Sequence, residues 1–234
     1  ELNNLLADGT YEKLMDHVTS INVACGGHAG DTEMMNVMVA MAKSKGVKLG
    51  AHPGYPDKEN FGREEMEDFD PNALLDTVRD QIESLVDIAS EHDMELTHVK
   101  PHGALYNLAV NNEDISQTIA EAIIDVNSSF KAVGLAGSKM LTVFDELGLD
   151  VISESYVDRM YEADGTLRSR KFDDALITDP EKAASQMSSM MNGNILAIDG
   201  TEIPVKIQSV CVHSDTPNSV DIAAAVRAQI DQSI

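Results

Sequence analysis

Seven short apolar runs, most of them rich in β-branched residues, recur along this chain, and amphipathic helical windows separate them. They fall at Leu2–Leu6, Ile21–Gly26, Val47–Pro53, Thr97–Gly103, Lys131–Gly137, Val151–Val157 and Ser209–Ser214. Strand and helix periods that alternate in this way are the signature of parallel βα units. The pattern therefore predicts an α/β fold, a seven-stranded parallel β/α barrel. A length of 234 residues suits one such barrel, which commonly runs to about 250.

The punctuation between runs supports this. Asp31 is placed to cap a helix over Thr32–Ser44 that stops at Gly46, and Ser138–Leu147 is closed by Gly148. Asp70 with Pro71, Asp179 with Pro180, and Thr216 with Pro217 open three more helices. One segment breaks the alternation: Ile195–Ile198, the turn Asp199-Gly200 and Ile203–Ile207 read as a small inserted β-hairpin. No Pro/Gly/Ser-rich linker or composition shift divides the chain, so residues 1–234 are expected to form a single domain.

Charge narrows the class of partner. Forty acidic residues against 17 basic give a net charge of -23, which repels nucleic-acid phosphate and anionic lipid. Aromatics are 4% of the chain and Trp is absent, too few for base-stacking platforms. No apolar run reaches the ~18 residues of a membrane span and no secretory signal is visible. Cys25 and Cys211 sit in different apolar runs with no CxxC spacing, as small core residues rather than a disulfide or a zinc site. A cytoplasmic protein is the expectation. In so acidic a chain, each Lys or Arg beside a strand end carries weight as an anion ligand.

The unusual polar residues collect after the strand-like runs, where a parallel α/β barrel places its active site. The second run gives His28 and Asp31; the third gives His52, Asp57 and then Arg63. The fourth, HVKPHGALYN, gives Lys100, His102, Tyr106 and Asn107. The sixth gives Glu154, Asp158, Arg159 and Tyr161, and the seventh gives His213 and Asp215. Any one of these, taken alone, has a plain structural role as a cap or a loop hydrogen bond; their recurrence at the same end of successive strands points to one working face. There is no GxSxG elbow, Walker loop or dinucleotide GxGxxG. The set suits carboxylate or phosphate binding by Lys100, Arg63 and Arg159, with His and Asp/Glu moving protons. A metal held by His28, His52, His213 and Asp215 is an open alternative, since imidazole and carboxylate suit several divalent ions.

Taken together, INVACGGHAGD, GAHPGYPD, NFGREE, HVKPHGALYN, YVDRMY and CVHSD resemble, in order, the motifs of the LamB/YcsF family, whose members serve as the A subunit of 5-oxoprolinase. The resemblance spans essentially the whole chain. It implies a barrel like that of glycoside hydrolases and deacetylases. It also implies ATP-dependent opening of the 5-oxoproline lactam to glutamate, with B and C subunits sharing the nucleotide work. On this basis Lys100, His102, Asp158, His213 and Asp215 are expected to be catalytic. Asn3, His28, His52, Arg63, Tyr106, Asn107, Glu154 and Arg159 are expected to bind substrate. The chain departs from the family pattern at Gly27 (Phe), Glu64 (Arg), Ser214 (Gly) and Leu5, where an acid is usual; Glu1, Asn3 and Asp8 are conservative. Two other classes remain open: a metal-dependent deacetylase-like hydrolase of a C–N bond, and a non-catalytic binding subunit, for which Leu5 is the motive.

Overall fold

The structure, a computed structural model, describes residues 2–66 and 70–233; Glu1 lies outside them. The chain opens with helices α1 (Leu2–Ala7) and α2 (Thr10–Met15). Strand β1 (Ser20–Ala24), helix α3 (Thr32–Lys45), β2 (Lys48–His52), α4 (Pro71–Glu91), β3 (Leu96–Val99), α5 (Gly103–Ala109), α6 (Glu113–Asn127), β4 (Lys131–Leu135), α7 (Lys139–Glu146) and β5 (Val151–Tyr156) follow. The remainder is α8 (Pro180–Met191), β6 (Asn194–Leu196), β7 (Glu202–Pro204), β8 (Ser209–Cys211) and α9 (Ser219–Asp231).

This is an α/β fold with a parallel sheet. Among the described residues that sheet has six strands, in the order β1-β2-β3-β4-β5-β8. The expected first strand, Leu2–Leu6, is instead helix α1. The reason is local. The segment has no β-branched residue, its Leu residues recur at 2, 5 and 6, and Leu and Ala are strong helix formers. Leu5 is thus a half-buried helical residue and not the end of a strand. The last helix also begins later than Thr216-Pro217 suggests, at Ser219, with Asn218 in the left-handed region at φ 64.

Where local chemistry dictates the caps, they are present. Asp31 accepts the Met34 N–H, Asp70 the Asn72 N–H, Ser138 the Leu141 N–H, and Asp179 those of Glu181 and Lys182. Asn194–Leu196 pairs antiparallel with Glu202–Pro204 around Gly200, whose φ of 89 only glycine adopts readily.

The backbone groups into two compact units, residues 19–152 and residues 1–18 with 153–234. In the first, β1, β2 and β3 run parallel in a register that sets Ala24 opposite His52 and Gly50 opposite His98. Val39, Leu49, Ala51, Val78, Ile82, Leu85, Val99, Leu105, Ile119, Ile123 and Phe144 lose all or nearly all solvent there. In the second, β5 pairs parallel with β8, and Val157, Tyr161, Ala183, Met187, Met190, Ile222 and Val226 make the core. Each fully buried Leu, Ile or Phe contributes about 1.5–3 kcal/mol, so these clusters hold the strand ends firmly. Among the described residues no helix is long and apolar enough to cross a membrane.

Candidate functional site

Because β1, β2 and β3 are parallel, the loops that follow them leave the sheet at the same edge. In the unit of residues 19–152 those loops bring three histidines together. His28 stacks on His102 with ring centroids 3.6 Å apart and planes 8° off parallel. His52 stands edge-on to both, 5.8 Å from His28 and 4.9 Å from His102. Glycines make the room: a Cβ on Gly54 would lie 2.8 Å from His28 Nδ1, and one on Gly62 would lie 2.6 Å from His28 Cβ.

Each ring nitrogen of His52 and His102 has a partner. His52 Nδ1 is 2.6 Å from the Lys100 carbonyl oxygen, and His102 Nε2 is 2.9 Å from the Phe61 carbonyl oxygen. A carbonyl can only accept, so both ring nitrogens must carry hydrogen. Between the rings, His102 Nδ1 faces His52 Nε2 at 3.1 Å. With His52 neutral, its Nε2 offers a lone pair, and His102 Nδ1 must donate into it. Filling all three contacts at once would take three protons on two imidazoles. Burial, followed by the charge of His102, holds His52 well below its usual 6.5, and burial with the charges of His102 and Arg63 pushes His28 down to about 2.

Phe61 is the device that aims one of those carbonyls. Its φ of 57 is unusual for a bulky residue, and it is followed by Gly62 at φ 63. The turn directs the Phe61 carbonyl at His102 and the Gly62 carbonyl at the Ala104 N–H, 2.9 Å away. Arg63 is exposed, with its guanidinium 4.8 Å above the Phe61 ring. Lys100 is buried, 3% exposed, and its ammonium lies 5.8 Å from the Tyr106 ring centroid. Tyr106 is buried as well, whereas Asn107 lies on the exposed side of α5. His98 lies within β3. It sits between Thr97 Oγ1 (2.8 Å) and Asn22 Oδ1 (2.9 Å), in space that a Cβ on Gly50 would fill, and burial lowers it to about 4.

The unit that contains β5 and β8 holds a second group. Asp158, fully buried just beyond β5, accepts the His213 N–H (2.8 Å), the His213 ring Nδ1–H (3.0 Å) and the Thr216 hydroxyl (2.7 Å). Burial alone would raise its carboxyl. The His213 charge and these hydrogen bonds overcome that and hold Asp158 down at about 2. With Nδ1 committed, Nε2 is the basic nitrogen of His213, and the ring is steadied by stacking on Tyr156 at 5.2 Å. This is the geometry of an aspartate-oriented general base. Arg159 is 6% exposed, with one guanidinium nitrogen on the Arg168 carbonyl and its Nε buried without a hydrogen-bond partner. Asp215 pairs with Arg170 at 3.0 Å, and Glu154 is buried in β5 opposite Ser209.

So the structure gathers His28, His52, His102, Arg63 and Lys100 in one unit. It gathers Asp158, Arg159, His213, Asp215 and Glu154 in the other. The Asn3 side chain lies outside the described ones. Among the described residues, no group of three or more His, Cys, Asp or Glu side chains is arranged to hold a metal ion. His52 spends both ring nitrogens on protein partners, and Asp215 is engaged by Arg170, so these two are poorly placed as ligands. Residues that sequence reasoning did not single out are the Phe61 carbonyl, Gln81, Gln186 and Arg170, and Thr216, read there as a helix opener, instead bonds Asp158. Gln186 donates to the Tyr156 and Arg159 carbonyls at 2.7 and 2.9 Å and so fixes the turn carrying Asp158. Only Gln81 left a signal, as a polar residue inside the Leu74, Val78, Ile82, Leu85 stripe of α4.

A family model, described as LamB/YcsF family, matches residues 5–234. The chain belongs to the LamB/YcsF family. Among relatives of this LamB/YcsF member, a protein of Chloroflexus aggregans named as the A subunit of 5-oxoprolinase is 43% identical over 220 residues, covering 94% of this chain and 87% of that one. A protein of the same name from Pyrococcus furiosus is 40% identical, covering 96% and 88%. The crystal structure of a lactam utilization protein from Thermus thermophilus superposes with a TM-score of 0.88 at 35% identity, covering 95% of this chain and 89% of that one.

Proposed function

We propose that this chain is the A subunit of a 5-oxoprolinase, a hydrolase that opens a cyclic amide. The observation that carries this reading is the near full-length similarity to proteins of that name. Opening an unstrained lactam is unfavourable, so ATP is spent on phosphorylating the carbonyl oxygen, in work shared with B and C partner subunits. Water then adds to that carbon and the ring nitrogen leaves with a proton. The resulting acyl phosphate is hydrolysed by a second water to glutamate and phosphate.

Each unit has residues suited to one part of that sequence. In the unit of residues 19–152, His102 supplies a proton to a departing ring nitrogen, and the buried Lys100 ammonium, with Arg63, binds carboxylate or phosphoryl oxygens, a buried charge counting for more because water does not screen it. In the other unit, His213, with Asp158 behind it, takes a proton from water, and Arg159 binds the same kind of anion. Dependence on ATP goes with a cytoplasmic setting.

Reconstitution with the B and C subunits tests this directly. ATP hydrolysis that depends on 5-oxoproline, with glutamate released in equal amount, is the expected result. A fully assembled complex that hydrolyses no ATP when 5-oxoproline is added would remove the proposal.

A further inference from the structure

Gln81 lies on α4, 27 positions from Gly54, yet its side chain reaches the loop after β2. Its Oε1 accepts the Gly54 N–H at 3.1 Å and its Nε2 donates to the Gly54 carbonyl at 2.8 Å, so one amide satisfies both backbone groups of one residue. A second donation, to the Thr77 carbonyl at 3.1 Å, holds the amide in its own helix. Gln81 is 7% exposed. A buried amide with its donors and acceptor matched in this way resists displacement, because a broken bond leaves a desolvated polar group behind.

The residue it clamps is no ordinary turn glycine. The Pro53 carbonyl, on the other side of the Pro53–Gly54 peptide, accepts the backbone N–H of His102 at 2.8 Å. Gly54 also packs against the rings: a Cβ there would lie 2.8 Å from His28 Nδ1 and 3.2 Å from His102 Cβ. The same peptide unit is thus held by Gln81 at one end and holds His102 at the other. The arrangement has a further requirement. A Cβ on Gly27 would collide with Gln81 Oε1, so the amide occupies the space that Gly27 leaves empty.

We propose that Gln81 is a positioning residue for the His52–His102 pair, acting through Gly54, and that Gly27 is its obligate partner. Gln81 touches no reacting atom. Its action is to keep the His102 backbone at the distance and angle at which both ring nitrogens meet their acceptors. Loss of the amide lets the Pro53–Gly54 peptide turn, lengthens the His102–His52 contact and releases the shared proton. The catalytic consequence rests on the lactam-opening reading above; the proton arrangement does not.

The test uses the full chain labelled with 15N, whose imidazole two-bond spectra report the protonation of His52 and His102 without any turnover. Gln81→Met keeps the volume and removes the amide. Gly27→Ala, at a residue without a left-handed backbone, adds only the Cβ that collides with the amide. Both are expected to change the two-bond pattern of His52 and His102, because the hydrogen bond between His102 Nδ1 and His52 Nε2 is lost. In the reconstituted complex both should reduce kcat by about ten- to a hundredfold with KM little changed. Gly27→Ala added to Gln81→Ala should do no further harm, because the collision partner is gone. Unchanged two-bond patterns of His52 and His102 in both folded single variants, or effects of Gly27→Ala and Gln81→Ala that multiply, would overturn the inference. If the wild-type complex turns over no 5-oxoproline, the functional reading falls, and the imidazole spectra still decide the role of Gln81.

Discussion

His102 Nδ1 and His52 Nε2 lie 3.1 Å apart, and each ring's other nitrogen is capped by a backbone carbonyl. Satisfying all three contacts at once would take one more proton than two neutral imidazoles hold. His28 and His98, by contrast, are buried neutral.

The neutral histidines make stability sensitive to acid. His28 and His98 sit near 2 and 4 in the folded chain, with His52 lowered too, whereas each would titrate at 6.5 when unfolded. Below 6.5 the unfolded chain takes up protons that the folded chain refuses, so stability is whole above that value and is lost as pH falls towards 4. Each such histidine contributes a slope of about 1.4 kcal/mol per pH unit. Urea unfolding at pH 7.5, 6.0 and 5.0 should show a steep decline. A flat profile across that range would mean that the three are not buried neutral.

Asp158 works in the same direction at lower pH. Its carboxyl, held at about 2 against an ordinary 3.8, stabilises the fold above 3.8, and that contribution fades as pH drops through 2. Asp158→Asn keeps the shape and removes the charge that orients and stabilises His213. Turnover of the complex should fall by about 10²–10⁴-fold, the range for a general base. A loss smaller than tenfold would exclude His213 as that base.

Lys100→Met removes a buried ammonium. A charge-assisted hydrogen bond to a buried anion is worth about 1.5–3 kcal/mol, so 5-oxoproline turnover should weaken about ten- to a hundredfold. Normal kinetics in this variant would place Lys100 outside the substrate site.

Leu5→Asp gives the opposite expectation. Leu5 is a half-buried residue of helix α1, so a carboxylate there is expected to leave turnover within about twofold and to cost about 1 kcal/mol of stability. A large rise in turnover would show that an acid at this position takes part in the chemistry.

Much of this fold is legible in the sequence because its signals are local. Asp31, Ser138 and Asp179 announce their helices through side-chain oxygens that bond two or three residues ahead, and β1 to β5 follow their apolar runs closely. Thr216 misleads for a physical reason: its hydroxyl is spent on Asp158, 2.7 Å away, and so does not cap the last helix. The histidines and Asp158 are visible because charged and aromatic side chains at strand ends stand out. The Phe61 carbonyl is not, because every residue has one and only the backbone turn at φ 57 aims it. Gln81 reaches Gly54 across 27 positions, a distance at which no spacing rule operates.

The carbonyl caps on the histidine pair have an evolutionary consequence. Side chains at 61 and 100 can be exchanged by mutation, but the main-chain oxygens that receive the protons are inherited with whatever residue stands there. A substitution at 100 thus removes the ammonium and leaves the carbonyl that His52 bonds, so the two roles of that residue are separable by mutation.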